Sequence, residues 1–368
     1  MYDKKQYNLL MNKAKVTIIV PTYRRPVFLK RVLTGVLEQT YKDFIVYVLD
    51  NASDDETGEI ALDFVRKDSR FRYQCHKTNI GSVNNCAYGF KLVNTPYFCY
   101  LADDDLWLPD FLKEAVDSME KYPEAGFFGA RSICVTEKGT PYLFSGTDNL
   151  NGYFPSPEGA CLLWEKGWPQ QCAVLYKSEV LKAVGNISSI LGFDLDYLTR
   201  IASRFPVIFS SQLLAFFTIN QNSISALRTV EKVAKEYYYI KNKIEKDEHL
   251  LEKAKEQIIQ SWGKRFPYQL RMMTMLSLIK EDINDAKYGI ELLKHQPVFV
   301  WTTPIIKMAV NLAGLNNFTR RLVKLFFKYR TKIFTTIRKI IFYIKYRYNQ
   351  PIYWWCVKLT KLIIPPNR

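Results

Sequence analysis

The chain has 368 residues, 48% hydrophobic and 24% charged, which excludes a disordered or collagen-like polypeptide and gives enough apolar mass for a core without disulfide help. Seven cysteines with no C-x-x-C pair, and three histidines at no zinc spacing, read as reduced, mostly buried thiols rather than a metal or disulfide frame. The net charge is +16, yet residues 1–291 hold 37 basic and 36 acidic side chains, while 292–368 hold 15 Lys or Arg and no carboxylate; a basic block this concentrated calls for a polyanionic partner.

Residues 1–14 are polar and unpatterned, a flexible leader with no apolar signal core. Val16–Val20 is a β-branched strand ended by Pro21, and Pro26 to Gln39 has helical spacing with Pro in the first turn. Phe44–Leu49 is a second strand ending at Asp50. Ser53 or Asp54 is placed to cap a helix running to about Arg66. Phe71–Cys75 is a third strand, 82–93 a helix, and Tyr97–Leu101 a fourth strand ending in Asp103-Asp104-Asp105, after which Pro109 opens another helix. Strand–helix–strand repetition over this length predicts a mainly parallel sheet with helices on both faces.

Ligands of such sheets bind at the carboxyl ends of the strands. Polar residues recur there: Thr22-Tyr23-Arg24-Arg25, then Asp50-Asn51, then the three aspartates. No G-x-G-x-x-G and no G-x-x-x-x-G-K-[ST] is present, which weighs against a dinucleotide enzyme, a P-loop ATPase and a nucleotidyltransferase with a glycine-rich loop. Three adjacent carboxylates after an apolar strand raise one another's pKa and are costly to bury. A hard divalent cation, which takes one or two carboxylates plus phosphate oxygens, relieves both problems; a solvated loop capping the next helix is the alternative.

Five segments in order resemble family 2 glycosyltransferases of the GT-A fold, of the kind that builds bacterial surface polysaccharides. They are Val16-Thr17-Ile18-Ile19-Val20-Pro21-Thr22-Tyr23-Arg24-Arg25, Asp50-Asn51-Ala52-Ser53-Asp54-Asp55-Glu56-Thr57, Asn79-Ile80-Gly81, Leu101-Ala102-Asp103-Asp104-Asp105-Leu106-Trp107-Leu108-Pro109, and the acidic helix start Gly192-Phe193-Asp194-Leu195-Asp196. The resemblance covers about 15–228 and implies a Rossmann-like mixed sheet that binds a nucleotide-sugar, most readily a UDP-sugar. It implies that Pro21, Thr22, Tyr23, Arg25, Asp50, Asn51, Asn79 and Asp103 hold the nucleotide, and that Asp104 with Asp105 holds Mg²⁺ or Mn²⁺. It implies that Asp194 is the base of an inverting displacement, with Asp196 supporting. Read from the residues alone, Asp194 stands in the first turn of a helix, where the dipole favours a carboxylate. The family pattern is broken at Ala102, at Ala87 and at Asn220, which stands where some members carry histidine. Trp164 and Trp168 fall where acceptor loops lie in the family, and serve equally well as packing.

After about 228 the pattern turns helical: 230–246, 248–262 and 267–280 are the clearest, with 281–293 as a further candidate. On a wheel of about 100° per residue, Phe318, Leu322, Phe326, Tyr329, Ile333, Ile337, Ile340, Ile344 and Tyr348 form one stripe. Arg320, Arg321, Lys324, Lys328, Lys332, Arg338, Lys339 and Lys345 lie opposite. Such a basic, aromatic-rich helix lies in a membrane interface, and Tyr353-Trp354-Trp355 adds interfacial aromatics. No apolar run reaches the roughly 18–20 residues of a span. The expectation is therefore a GT-A domain over 15–228 and a helical appendage over 229–368, with a membrane-associating segment at 318–368. The protein is then a metal-dependent inverting glycosyltransferase, peripheral on the inner face of the cell membrane, acting on a saccharide or lipid-linked saccharide. The competing readings are a nucleic-acid or polyanion binder and an inactive GT-A fold; strict amphipathicity and aromatic content favour lipid over nucleic acid.

Overall fold

The computed structural model describes residues 13–137, 141–145, 150–185, 187, 193–220, 228–296, 302–317 and 319–329. Residues 1–12 of the expected leader (1–14), most of the segment around Asn220-Gln221-Asn222-Ser223-Ile224-Ser225, and the amphipathic segment beyond Tyr329 lie outside these residues. The chain divides into two compact units, one reaching Ile219 and the other built from the helices that follow Asn220.

The first unit is an α/β sheet. Its strands are β1 (Val16–Thr22), β2 (Phe44–Asp50), β3 (Phe71–Cys75), β4 (Tyr97–Tyr100), β5 (Leu106–Trp107), β6 (Phe127–Thr136), β7 (Pro141–Ser145), β8 (Gly152–Phe154), β9 (Val174–Lys177) and β10 (Val207–Ile219). Its helices are α1 (Pro26–Leu37), α2 (Thr57–Lys67), α3 (Ser82–Lys91), α4 (Phe111–Lys121), α5 (Glu158–Lys166), α6 (Val180–Val184) and α7 (Phe193–Ala202). The spatial order is β3-β2-β1-β4-β9-β6-β10-β5, with β7 on β6 and β8 on β10.

The expected parallel sheet is the β3-β2-β1-β4 half. Beyond it the sheet is mixed: β9 runs antiparallel to β4 and β6, and β10 runs parallel to β6 but antiparallel to β5 and β8. Every residue of β1 is buried, as a central parallel strand requires. The core beneath joins Ile18, Val20, Leu33, Val46, Cys99, Phe111 and Leu175. Four of the six described cysteines are buried, as expected for mostly buried thiols.

The strand runs one residue past Pro21, which leaves no gap in the ladder. Ile19 O accepts from Leu101 N (2.9 Å) and Thr22 O from Asn51 N (2.9 Å). Alternate residues therefore face alternate neighbours, and Pro21 shares the side of Ile19. Pairing with β4 stops at Ile19↔Tyr100, while pairing with β2 continues to Thr22↔Asp50. The missing N–H of Pro21 faces the place where β4 has already turned away. The chain moves outward from β1 through β2 to β3, then returns to β4 on the other side of β1. The carboxyl ends of β1 and β4 thus form the switch point where open sheets bind ligands.

One local expectation fails. Neither Ser53 nor Asp54 caps α2, whose first residue Thr57 donates its N–H to Asp55 Oδ1 (3.0 Å). Both residues are engaged by Arg24 instead: Ser53 Oγ accepts its N–H (2.8 Å) and Asp54 Oδ2 its Nη2 (2.7 Å). A tertiary contact between the two strand-end loops outcompetes the local cap.

The second unit contains α8 (Val230–Glu245), α9 (Glu252–Ile279), α10 (Ile283–Lys294), α11 (Thr302–Leu315) and a helical stretch over 319–329. The sequence pattern breaks α9 at Pro267, but the structure carries one helix through it. Packing on both sides of the proline overrides the missing hydrogen bond. Trp262 stacks on Phe266 (4.7 Å) and Phe266 on Tyr237 of α8 (5.5 Å), and after Pro267 come buried Leu270, Met273 and Thr274. Asp285 ties the unit together, accepting from Val230 N (2.9 Å) and Ser277 Oγ (2.5 Å).

In the stretch 319–329, Val323 and Phe327 are buried, whereas Leu322, Leu325, Phe326 and Tyr329 are exposed. The described part of the expected apolar stripe therefore points to solvent, and the helix docks through a neighbouring face. No helix among the described residues is long and apolar enough to cross a membrane.

Candidate active site

Two polar networks occupy the strand ends of the first unit. The first is at β2 and β3. Asp50 is fully buried; its Oδ1 accepts Ser53 N (2.9 Å) and its Oδ2 accepts the Tyr73 hydroxyl (2.8 Å). Tyr73 reaches it because position 58 is glycine, where a Cβ would stand 2.8 Å from the Tyr73 hydroxyl oxygen. Burial, then Asp50, pushes the Tyr73 phenol up, so it stays a donor. Asn51 Oδ1 accepts Ile80 N (2.8 Å), and Asn51 Nδ2 donates to Asn79 Oδ1 (2.8 Å), which also accepts Gly81 N (2.9 Å). Asp50, Asn51 and Asn79 thus form one rigid rim. Behind it Asn85 donates to Leu49 O (2.9 Å) and faces His76 Nε2 (2.9 Å).

The second network is at the switch point. Asp105 N closes a turn on Ala102 O (3.1 Å), which folds the three aspartates back over the ends of β1 and β4. Thr22 Oγ1 donates to Asp103 Oδ2 (2.8 Å). Arg25 Nη1 donates both to Asp103 Oδ1 (3.0 Å) and to Asp104 Oδ2 (2.7 Å). The Asp104 carbonyl accepts from Arg31 and from the Thr218 hydroxyl. Asp105 is turned inward, its Oδ1 accepting Thr218 N (2.8 Å) on β10. Tyr23 stands exposed beside the Arg24 guanidinium, 5.2 Å from its ring.

The electrostatics follow from burial. Desolvation pushes the Asp103 carboxyl up to about 6; the Asp104 charge adds to this, and Arg25 and Thr22 oppose it. Burial, then Asp104, drives Asp105 well above the usual carboxylate range, against the Thr218 N–H, Cys172 and Arg31. For Arg25, burial opposes the charge but Asp103 and Asp104 outweigh it, so its guanidinium pKa is raised. The site holds more negative charge than its protein partners neutralise comfortably.

Among the described residues no group of three or more His, Cys, Asp or Glu is arranged to hold a metal ion. Two carboxylate oxygens, from Asp103 and Asp104, nevertheless converge on the single Arg25 Nη1. A pair of carboxylates on one cation is the donor set Mg²⁺ or Mn²⁺ takes from protein when phosphate oxygens supply the rest. The residues fit such an ion through Asp103 and Asp104, whereas the Asp105 carboxylate is engaged by β10.

Asp194 and Asp196 separate by environment. Asp194 lies half-buried in the first turn of α7. Asp196 is fully buried, and its Oδ2 accepts from Arg200 Nη2 (2.7 Å) and Nε (3.1 Å). Aromatic contacts link α7 to β4: Tyr197 packs on Tyr176 (5.4 Å), and Tyr176 stacks on Phe98 (5.1 Å), its partner in the β4–β9 ladder. The Asp194 charge is felt at Tyr176, whose pKa burial and then Tyr197 raise first. Trp164 is fully buried and belongs to the core; Trp168 is half-buried.

Sequence reasoning singled out the strand-end residues but missed Arg31, Thr218, Tyr73 and Gly58. Arg31 and Thr218 meet the aspartate turn across 73 and 114 positions of chain. No local pattern signals such a meeting.

Residues 17–185 match the family model described as glycosyl transferase family 2. An uncharacterized glycosyltransferase of Rickettsia felis is 31% identical over 223 residues, covering 58% of this chain and 36% of the relative. The GalNAc(5)-diNAcBac-PP-undecaprenol beta-1,3-glucosyltransferase of Campylobacter jejuni is 26% identical over 125 residues, covering 34% and 39%. The matches span about a third of the length of the first Rickettsia relatives, 32% to 36%. Among solved structures, S. aureus TarS 1-349 in complex with UDP-GlcNAc superposes with a TM-score of 0.62 at 15% identity, over 86% of this chain and 92% of that one. The mannosyltransferase PcManGT from Pyrobaculum calidifontis, in complex with GDP-Man and Mn2+, does so with 0.54 at 16% identity, over 92% and 88%. These likenesses establish the GT-A fold.

Proposed function

We propose that the chain is a member of glycosyl transferase family 2, whose model residues 17–185 match, and that it is an inverting, metal-dependent glycosyltransferase using a nucleotide-sugar. The observation that carries this reading is the convergence of Asp103 and Asp104 on one cation at the switch point, beside the Asp50–Asn51–Asn79 rim. The rim holds the base and ribose: Asp50 and Asn51 are fixed by Ser53, Tyr73 and Ile80, so they meet the nucleotide without reorganising. Pro21, Thr22, Tyr23 and Arg25 continue the same rim from β1.

Asp104 would hold the divalent cation, with Asp103 rather than Asp105 as the second carboxylate. Such a cation supplies positive charge to the leaving diphosphate. Asp105 and Thr218 brace the turn from behind. Asp194, in the first turn of α7, takes the proton of an acceptor hydroxyl. One displacement assisted by one base inverts the anomeric carbon. Asp196, neutralised by Arg200, holds α7 in place.

The acceptor is a saccharide or lipid-linked saccharide in surface-polysaccharide assembly. The C. jejuni relative, named for an undecaprenol-linked substrate, supports this. So does the exposed apolar stripe Leu322, Leu325, Phe326 and Tyr329, in a region with 15 basic residues and no carboxylate after Glu291, which suits peripheral docking on the anionic inner face of the cell membrane.

A thermal-shift screen of nucleotide-sugars with and without Mn²⁺ tests the reading. One nucleoside diphosphate family, with UDP expected first, raises the midpoint only when Mn²⁺ is present. Stabilisation by none of them refutes the donor assignment.

A further inference from the structure

We propose that Arg25 is a built-in counter-ion that keeps the cation's place and yields it when the nucleotide diphosphate arrives, so that metal binding depends on nucleotide. This rests on the glycosyltransferase reading above and adds an order of events to it.

One nitrogen, Arg25 Nη1, bonds both carboxylates, at 3.0 Å and 2.7 Å. The Asp103 and Asp104 side chains are only 7% and 13% exposed, while that of Arg25 is 32% exposed. The two carboxylates are therefore fixed and the cation between them is the accessible partner. The rest of the network holds the turn without holding Arg25. Thr22 takes the other Asp103 oxygen, and Arg31 and Thr218 take the Asp104 carbonyl. The guanidinium meets, besides the two carboxylates, the ring of Phe28 at 6.0 Å.

A divalent cation drawing on the same two oxygens would take the place the guanidinium occupies. Two positive groups cannot share those carboxylates at contact distance without strong repulsion. In the free protein Asp103 and Asp104 thus already share a counter-ion, and metal alone gains little by displacing a tethered arginine. A diphosphate changes the balance in two ways. It brings oxygen ligands for the metal, and it offers the released guanidinium an anion suited to its planar fork of donors. Arg25 immediately precedes α1, and its backbone is fixed by the bond from Leu29 N to Arg25 O (2.9 Å). Its side chain therefore swings while its root stays at the rim of the site. Coupling of this kind is reciprocal: nucleotide tightens metal and metal tightens nucleotide by the same factor.

The test titrates Mn²⁺, read by its electron paramagnetic resonance signal, into the full chain with and without UDP, and repeats the titration with GDP. In the wild type, UDP or GDP should tighten Mn²⁺ at least tenfold. Arg25→Gln should bind Mn²⁺ alone at least tenfold more tightly than wild type, with the nucleotide effect reduced to about threefold or less. Arg25→Lys, which keeps a cation, should bind Mn²⁺ alone as weakly as wild type. Mn²⁺ binding to Arg25→Gln no tighter than to wild type, in protein with an unchanged circular dichroism spectrum, overturns the proposal. So does a wild type that binds Mn²⁺ equally well with and without nucleotide, a result that needs no variant to fold. Failure of the transferase reading is a different result: no nucleotide binds with Mn²⁺ at all.

Discussion

Asp194 and Asp196 lie two residues apart on α7, and exchanging each for alanine separates chemistry from architecture. Asp196 is 0% exposed and Arg200 9% in the side chains, and both bonds of the pair end on the Asp196 Oδ2. Removing one partner of a buried ion pair costs about 3–5 kcal/mol because the other charge is left uncompensated. Arg200 retains a bond to the Val184 carbonyl, which places Asp196→Ala toward the lower end. At roughly 2–4 °C per kcal/mol for a unit of this size, the midpoint of the first unit should fall by about 6–12 °C. Asp194 is half-buried in the first turn of α7, so Asp194→Ala gives up mainly its dipole interaction, about 0.3–1 kcal/mol, or roughly 1–4 °C. Activity should rank the other way. Loss of a general base lowers turnover about 10²–10⁴-fold, whereas Asp196→Ala, assayed well below its midpoint, should stay within about tenfold of wild type. Differential scanning calorimetry and product formation on the same preparations give both readings. An Asp194→Ala protein as destabilised as Asp196→Ala, or a folded Asp196→Ala protein as inactive as Asp194→Ala, refutes the division of roles.

The remaining predictions concern the rim, the turn and the surface. Tyr73→Phe removes a hydrogen bond to buried, charged Asp50 and should cost about 1.5–3 kcal/mol of stability; urea unfolding measures it, and a loss under 0.5 kcal/mol contradicts the bond's role. Gly58→Ala places a Cβ 2.8 Å from the Tyr73 hydroxyl oxygen and should raise the KM for the donor with little change in kcat, as should Tyr73→Phe; steady-state kinetics reads the split. Phe326→Glu places a charge on the exposed apolar stripe and gives up about 1.5–3 kcal/mol of side-chain burial in lipid. Cosedimentation with phosphatidylglycerol vesicles should therefore fall at least tenfold, and unaltered binding removes this stripe from the membrane surface.

Much of the first unit was legible because its signals are local. The β-branched run at Val16–Val20, the proline at the head of α1 and the aspartates after β4 each announce an element and where it ends. The strand-end position of Thr22, Asp50 and Asp103 follows directly from those elements. What was not legible depends on tertiary meetings. Ser53 and Asp54 look like helix caps until Arg24 takes both, and Pro267 looks like a break until the Trp262–Phe266 stack and the α8 contacts hold the helix through it. Within the aspartate run no pattern says which carboxylate turns inward. β10 decides that, since Thr218 N reaches Asp105 and leaves Asp103 and Asp104 to face Arg25. The antiparallel insertion of β9 between β4 and β6 is likewise a long-range pairing that periodicity alone does not carry.

The most direct test of the transferase account measures donor binding and sugar transfer side by side in Asp104→Ala and Asp194→Ala. Calorimetric titration with the nucleotide-sugar in Mn²⁺ should show binding lost in the first variant and kept in the second, while neither transfers sugar. Wild-type binding in Asp104→Ala, or continued transfer by Asp194→Ala, contradicts it.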